Sequence, residues 1–170
     1  VYEMFMGPFE ASQPWNTESI IGSRRFIERV WKISQKVKSS PNASARVLGE
    51  NHQTSSQKHA GSDLEKTLHK TIKKVHEDIS NFAFNTAISS MMVLVNEMDK
   101  VENISVKDFK IFLQILAPFA PHITEELWRE FGEKKSIHLT PWPKYNPKFL
   151  IEDTLKIVVQ VNGKVRAEID

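Results

Sequence analysis

Between residues 63 and 80 the aliphatic side chains Leu64, Leu68, Ile72, Val75 and Ile79 recur every three or four positions. A helix turns about 100° per residue, so they line up as one narrow stripe. Lys66, Lys70, Lys73 and Lys74 fall on the other side, and Asp63 and Glu65 sit in the first turn, where the helix dipole favours acids. Such a stripe needs a covering partner, so the segment commits the chain to packed helices.

Partners with the same period surround it. A helix is expected to begin near Asn16 or Thr17, both good N-caps, with Glu18 in its first turn. Its apolar arc holds Ile20, Phe26, Ile27, Val30, Trp31, Ile33 and Val37, opposite a cationic stripe of Arg25, Arg29, Lys32 and Lys36. After a break at Asn81-Phe82-Ala83-Phe84, a third helix is expected, capped near Asn85 or Thr86. Ala87, Ile88, Met91, Met92, Leu94, Val95 and Met98 cover most of its circumference, which makes it the most buried helix. Ser105 with Asp108 resembles a capping box and opens a fourth helix with Phe109, Phe112, Leu113 and Leu116 inward. Pro121 suits the first turn of a fifth, which carries Ile123, Leu127, Trp128 and Phe131 and stops at Gly132.

Residues 39–62 differ: they are rich in Ser, Asn, Gln and His and hold no aromatic side chain, so they read as a long polar loop. Residues 136–154, with Pro141, Pro143 and Pro147, read as an irregular strap. Lys156-Ile-Val-Val-Gln-Val, Asn162-Gly163 and Lys164-Val-Arg-Ala-Glu-Ile read as a β-hairpin with a type I′ turn. The expected fold is mostly α: an antiparallel bundle of about five helices over 16–135, a short tail of an upstream region over 1–15, and a C-terminal β-hairpin over 155–170.

A chain of 170 residues is long enough to bury a core, and its 40% apolar and 26% charged composition is that of a globular domain. Without cysteine it can form no disulfide, thiolate zinc site or thiol nucleophile. No apolar run reaches the ~20 residues of a membrane span, and the N-terminus lacks a signal peptide, so the expected setting is cytoplasmic. The chain also begins without Met, as a piece of something larger would. There is no glycine-rich phosphate loop, no Gly-x-Ser-x-Gly elbow and no His-Glu-x-x-His, so the expectation is no catalytic, cofactor-binding or metal-binding residue. His69 and His76 are two turns apart, which suits solvated histidines better than joint metal ligands. Glu125-Glu126 suits a solvated helix face, and His122 a capping or packing role. Trp31 and Trp128 are expected in the core, with Trp15 and Trp142 pinning loops.

The net charge of +2 announces no nucleic-acid binder, so a binding surface must come from clustering. Residues 24–38 hold six Lys/Arg and one acid, Glu28. Arg25, Arg29, Lys32 and Lys36 on one side of a helix can track a phosphate backbone, since Arg grips phosphate bidentately; an ordinary solvated face is the competing reading. Arg24, Lys66, Lys70 and Lys73 are weaker candidates.

Several segments resemble bacterial-type leucyl-tRNA synthetases. Tyr2-Glu-Met-Phe-Met-Gly-Pro-Phe-Glu-Ala-Ser-Gln-Pro-Trp-Asn16 is similar to the stretch just after their KMSKS loop, and Arg25-Phe-Ile-Glu-Arg-Val-Trp31 to the first helix of their anticodon-binding domain. Leu68-His-Lys-Thr-Ile-Lys-Lys-Val, Phe84-Asn-Thr-Ala-Ile-Ser89, Leu116-Ala-Pro-Phe-Ala-Pro-His-Ile-Thr-Glu-Glu-Leu-Trp128, His138-Leu-Thr-Pro-Trp-Pro143 and Val159-Gln-Val-Asn-Gly-Lys-Val-Arg166 follow in the family's order. The Ala-Pro-x-x-Pro-His block is shared among class I synthetases for aliphatic amino acids and methionine. The other segments point to leucine.

The resemblance implies a non-catalytic piece of an ATP- and magnesium-dependent leucine–tRNA ligase. In that family the helical domain supports the tRNA body and is generally not thought to read the anticodon. It implies leucine tRNA and the remaining synthetase domains as partners, with neither DNA nor membrane. The competing readings are the same domain of another aliphatic class I synthetase, and a helical protein-interaction module.

Overall fold

The computed structural model describes residues 1–39, 55–150, 157–161 and 164–169, of which 55–62 and the last two segments are described through their backbone. The chain is mostly helical. The helices are α1 (Tyr2–Phe5), α2 (Ile20–Ser39), α3 (Ser55–Ser80), α4 (Phe84–Lys100), α5 (Val106–Leu116) and α6 (Pro121–Glu130). Single 3-10 turns follow at Ile137–Leu139 and Pro147–Leu150, then strands β1 (Ile157–Val161) and β2 (Lys164–Ile169).

Helix α4 is the centre of the core. Ala87, Ile88, Met91, Leu94, Val95 and Met98 are all buried, with Met92 half-buried beside them. Around it, α3 brings Leu64, Leu68, Ile72 and Val75; α2 brings Phe26, Val30, Ile33 and Val37; α5 brings Phe109, Phe112, Leu113 and Leu116. The helical stripes of the sequence are thus the faces that meet, and burying such side chains is the main force holding the bundle.

The ends of the elements follow local chemistry, with three departures from expectation. First, α2 begins at Ile20 rather than beside Asn16. Asn16 Oδ1 accepts from Glu18 N at 2.9 Å, closing a side-chain turn ahead of the helix. Second, α3 begins at Ser55, inside the polar stretch expected to be loop. Adding a residue to an existing helix costs far less than nucleating one, so the striped segment carries polar residues without proline along with it. Residues 40–54 of that expected loop lie outside the described residues. Third, α4 begins at Phe84 with no side-chain cap. Thr86, expected as a cap, instead places Oγ1 2.7 Å from Asp78 Oδ2. The buried Asp78 carboxylate also takes Lys74 Nζ of its own helix at 2.7 Å, while its bond from Thr86 ties the end of α3 to the start of α4. Ser105 caps α5 as its sequence suggests, accepting from Lys107 N at 3.2 Å, and Pro121 occupies the first turn of α6.

Helices α3 and α6 end alike. Ala83 N donates to Asp78 O and Phe82 N to Ile79 O; Glu133 N donates to Trp128 O and Gly132 N to Arg129 O. These are paired six-to-one and five-to-two closures, which require a left-handed residue just past the helix. Gly132 takes that conformation at φ +85° and Phe82 at φ +55°.

The strap packs back on the bundle. Trp128 Nε1 donates to Lys135 O at 3.0 Å, and Gln114 Nε2 to Thr140 Oγ1 at 3.1 Å. The second 3-10 turn lies on α3, where Phe149 stacks on His69. Strands β1 and β2 pair antiparallel from Ile157↔Ile169 to Val161↔Lys164, with a register shift between Val159 and Gln160. The expected turn residues Asn162 and Gly163 lie outside the described residues.

Candidate nucleic-acid interface

The cationic residues of α2 face away from the core, but the structure divides the expected stripe. Arg29 is committed to α4: its Nε donates to Asp99 Oδ2 at 2.9 Å, Nη1 to Asn96 Oδ1 at 2.5 Å, and Nη2 to the same Asp99 carboxylate. Lys36 Nζ donates to the backbone oxygen of Asp99 at 2.9 Å. Asp99 stands in the last turn of α4, whose carbonyls have no intrahelical donor, so a lysine there both satisfies a carbonyl and faces the negative end of the dipole. Arg29 and Lys36 therefore fasten α2 across the end of α4.

Arg25 and Lys32 lie one heptad apart on the same face of α2, both exposed, with no hydrogen-bond or ion-pair partner among the described residues. Arg24 Nε donates to Glu28 Oε1 at 2.8 Å, which spends the one acid of that face on its neighbour. Trp31 corrects an expectation. It is 40% exposed, at the edge of the outward face, because the buried arc of α2 is narrower than the run of apolar letters suggests.

The weaker candidates on α3 are engaged locally. Lys73 Nζ stands 3.9 Å from Glu77 Oε1, and Lys66 and Lys70 each have an interaction of their own. Lys38, at the end of α2, pairs with Glu130 and lies over the Phe131 ring.

The carboxylates of α6 form a bracket rather than an acid–base pair. Glu125 Oε2 accepts from Ser136 Oγ at 2.9 Å and from Ile137 N at 3.0 Å, while Oε1 takes Arg129 Nε at 3.1 Å. The Ser136 hydrogen bond, helped by Ile137 N and Arg129, holds its carboxyl below the ordinary range. Glu126 and His122 are exposed. Among the described residues no group of three His, Asp or Glu side chains converges to hold a metal ion. No helix is long and apolar enough to cross a membrane, among the residues described.

Sequence reasoning missed Asp99, Asn96 and His69. The Arg29–Asp99 contact spans 70 positions and leaves no local pattern. His69 stacks on Phe149 with ring centres 4.8 Å apart and planes within 5°, and its Nδ1 accepts from Asn146 N at 3.2 Å. Burial, the larger influence, lowers its pKa against the raising effect of Glu65 and Asp108.

A packed, mostly helical domain is the class of architecture that this chain shares with known proteins. A family model for the anticodon-binding domain of tRNA ligase matches residues 62–170, and the chain belongs to that family. Within it, the chain is 45% identical over 170 residues to the leucine–tRNA ligase of Borrelia turicatae strain 91E135, and 44% to that of Borrelia hermsii strain HS1. Each match takes in 99% of this chain and 18% of the ligase, so the chain spans about a fifth of the length of these relatives. A crystal structure of the LeuRS–tRNA–LeuAMS ternary complex of Agrobacterium radiobacter K84 superposes with a TM-score of 0.74 at 24% identity, over 99% of this chain and 22% of that one, and so shares the fold.

Proposed function

We propose that the chain is the tRNA-supporting helical domain of a leucyl-tRNA synthetase, the ATP-dependent ligase that joins leucine to its tRNA. The observation that carries this reading is whole-chain similarity, at 45% identity, to a leucine–tRNA ligase. The residues themselves do not catalyse: they supply a packed scaffold and an outer cationic face. ATP and magnesium belong to other parts of the longer ligase. In this reading the bundle is of the class I anticodon-binding type, the strands 157–161 and 164–169 form the hairpin that begins the C-terminal domain, and the setting is the cytoplasm.

The tRNA backbone meets α2. Arg25 and Lys32, unpaired and exposed, make the direct phosphate contacts, with Arg24 beside them; Arg29 and Lys36 hold the helix in place for them. Lys66, Lys70 and Lys73 are secondary contacts. Contacts of this kind position the RNA without reading its sequence. In the longer ligase, Arg25→Ala with Lys32→Ala is expected to weaken leucine-tRNA binding and to flatten its log–log salt slope by about 1 for each phosphate that is no longer neutralised. A fluorescence titration at two salt concentrations reads both. Unchanged affinity and slope would remove α2 from the interface. Arg29→Ala is expected to lower thermal stability as well.

A further inference from the structure

Residues 134–150, which leave α6 and run back over the bundle, hold Lys134, Lys135, Lys144 and Lys148 and no aspartate or glutamate. This stretch carries +4 against +2 for the whole chain, so the rest of the molecule is net acidic. The backbone that bears the lysines is fastened at several points, and all of them use other groups. Glu125 accepts from Ser136 Oγ and Ile137 N, and Trp128 Nε1 donates to the Lys135 carbonyl. Gln114 Nε2 donates to Thr140 Oγ1, Asn146 N donates to His69 Nδ1, and Phe149 stacks on the His69 ring. Ile137 is buried beneath.

The four lysine side chains take no part in this. All are exposed, and none has a hydrogen-bond or ion-pair partner among the described residues. The acids nearest in sequence are committed elsewhere: Glu125 to Arg129 and the strap, Glu130 to Lys38, and Glu133 to Lys110. The strap therefore holds a set of cations on an anchored backbone and leaves their charge unneutralised, which is an attractive field for a polyanion.

The spread of the charge favours a chain of phosphates. Lysine is a compact point charge without the guanidinium fork that grips one carboxylate or phosphate bidentately, and these four are distributed along an irregular segment. Their place favours RNA. The Lys38–Glu130 pair sets the end of α2 against the end of α6, and Lys134 follows four residues later. The strap thus starts where the outer cationic helix ends.

We propose that Lys134, Lys135, Lys144 and Lys148 make the strap a second phosphate-binding surface, which takes the RNA backbone beyond α2. The proposal rests on the reading of this chain as the helical domain of a tRNA ligase. Like the α2 contacts, these hold the RNA without reading its sequence.

The test is acetylation of lysines in the intact ligase, read by mass spectrometry with and without leucine tRNA at low salt. The four strap lysines are expected to react freely in the RNA-free ligase and to be protected several-fold by the tRNA, with protection lost at high salt. Protection already present without RNA would overturn the proposal, since polypeptide would then cover the strap. Lys32 is scored in the same samples. A protected Lys32 beside unprotected strap lysines sinks the strap alone, and protection of neither removes α2 as well. Changing all four to glutamine (Lys134→Gln, Lys135→Gln, Lys144→Gln and Lys148→Gln) is expected to flatten the log–log salt slope of tRNA binding by about 0.7–0.9 for each phosphate released. An unchanged slope would also overturn the proposal, because the protection would then be indirect.

Discussion

Phe82 and Gly132 occupy the same position in the same helix-ending motif, and they differ in what the position asks of them. At Gly132 there is open space where a Cβ would stand, so an alanine meets no clash and only the left-handed backbone resists it. Gly132→Ala is expected to lower stability by about 1 kcal/mol, read as a shift of the urea midpoint at unchanged slope. Phe82→Gly relieves the same backbone cost but gives up ring contacts and a stiffer unfolded chain. The opposing contributions leave its net effect on this chain smaller than that of Gly132→Ala in the same experiment. The glycine was legible, because a helical pattern that stops at Gly is a strong stop signal. Nothing in Asn81-Phe82-Ala83 announces a left-handed phenylalanine. Trp31 failed for a related reason: a large apolar letter at the edge of a helical arc is placed by the breadth of the neighbouring helices, which one segment does not encode.

Among the elements, the strap and α3 are latched together at the His69 imidazole. His69 Nδ1 must be unprotonated to accept from Asn146 N, and its ring stacks on Phe149. The charged groups around it are Glu65 on its own helix and Asp108 and Lys107 on α5. The folded state lowers the His69 pKa from the ordinary 6.5, burial being the larger cause. The unfolded chain therefore takes up a proton first. The contribution is fully present above pH 6.5 and is lost as pH falls from there through the lower folded value. Thermal melts should show the midpoint falling between neutral and mildly acid pH, and His69→Phe, which keeps a stacking ring and removes the acceptor, should shrink that dependence. The helices themselves were legible because apolar spacing at period 3.6 survives any tertiary detail. The start of α3 was not, since polar residues propagate a helix that they would not nucleate. The His69 latch joins positions 77 apart, and the Arg29–Asp99 brace 70 apart, so neither leaves a local trace.

Over the whole molecule, α4 buries a continuous apolar face and packs against α1, α2 and α3. Its amides are expected to exchange with solvent only through global opening, more slowly than those of every other helix, while the single turn of α1, with no buried residue, exchanges fastest. Hydrogen exchange followed by mass spectrometry measures that order, and a slower α2 or α5 would contradict it. The division of the α2 cations carries a further consequence, for how such a chain can change over generations. Arg29 and Asp99 answer to each other, and Lys36 to the carbonyl at the same spot. A change of sign at 29 is tolerable chiefly when 99 changes with it, so these positions should drift as a linked pair. Arg25 and Lys32 have no such counterpart among the described residues. Their inheritance is free of the scaffold, and under the proposed function it answers to the phosphate backbone instead.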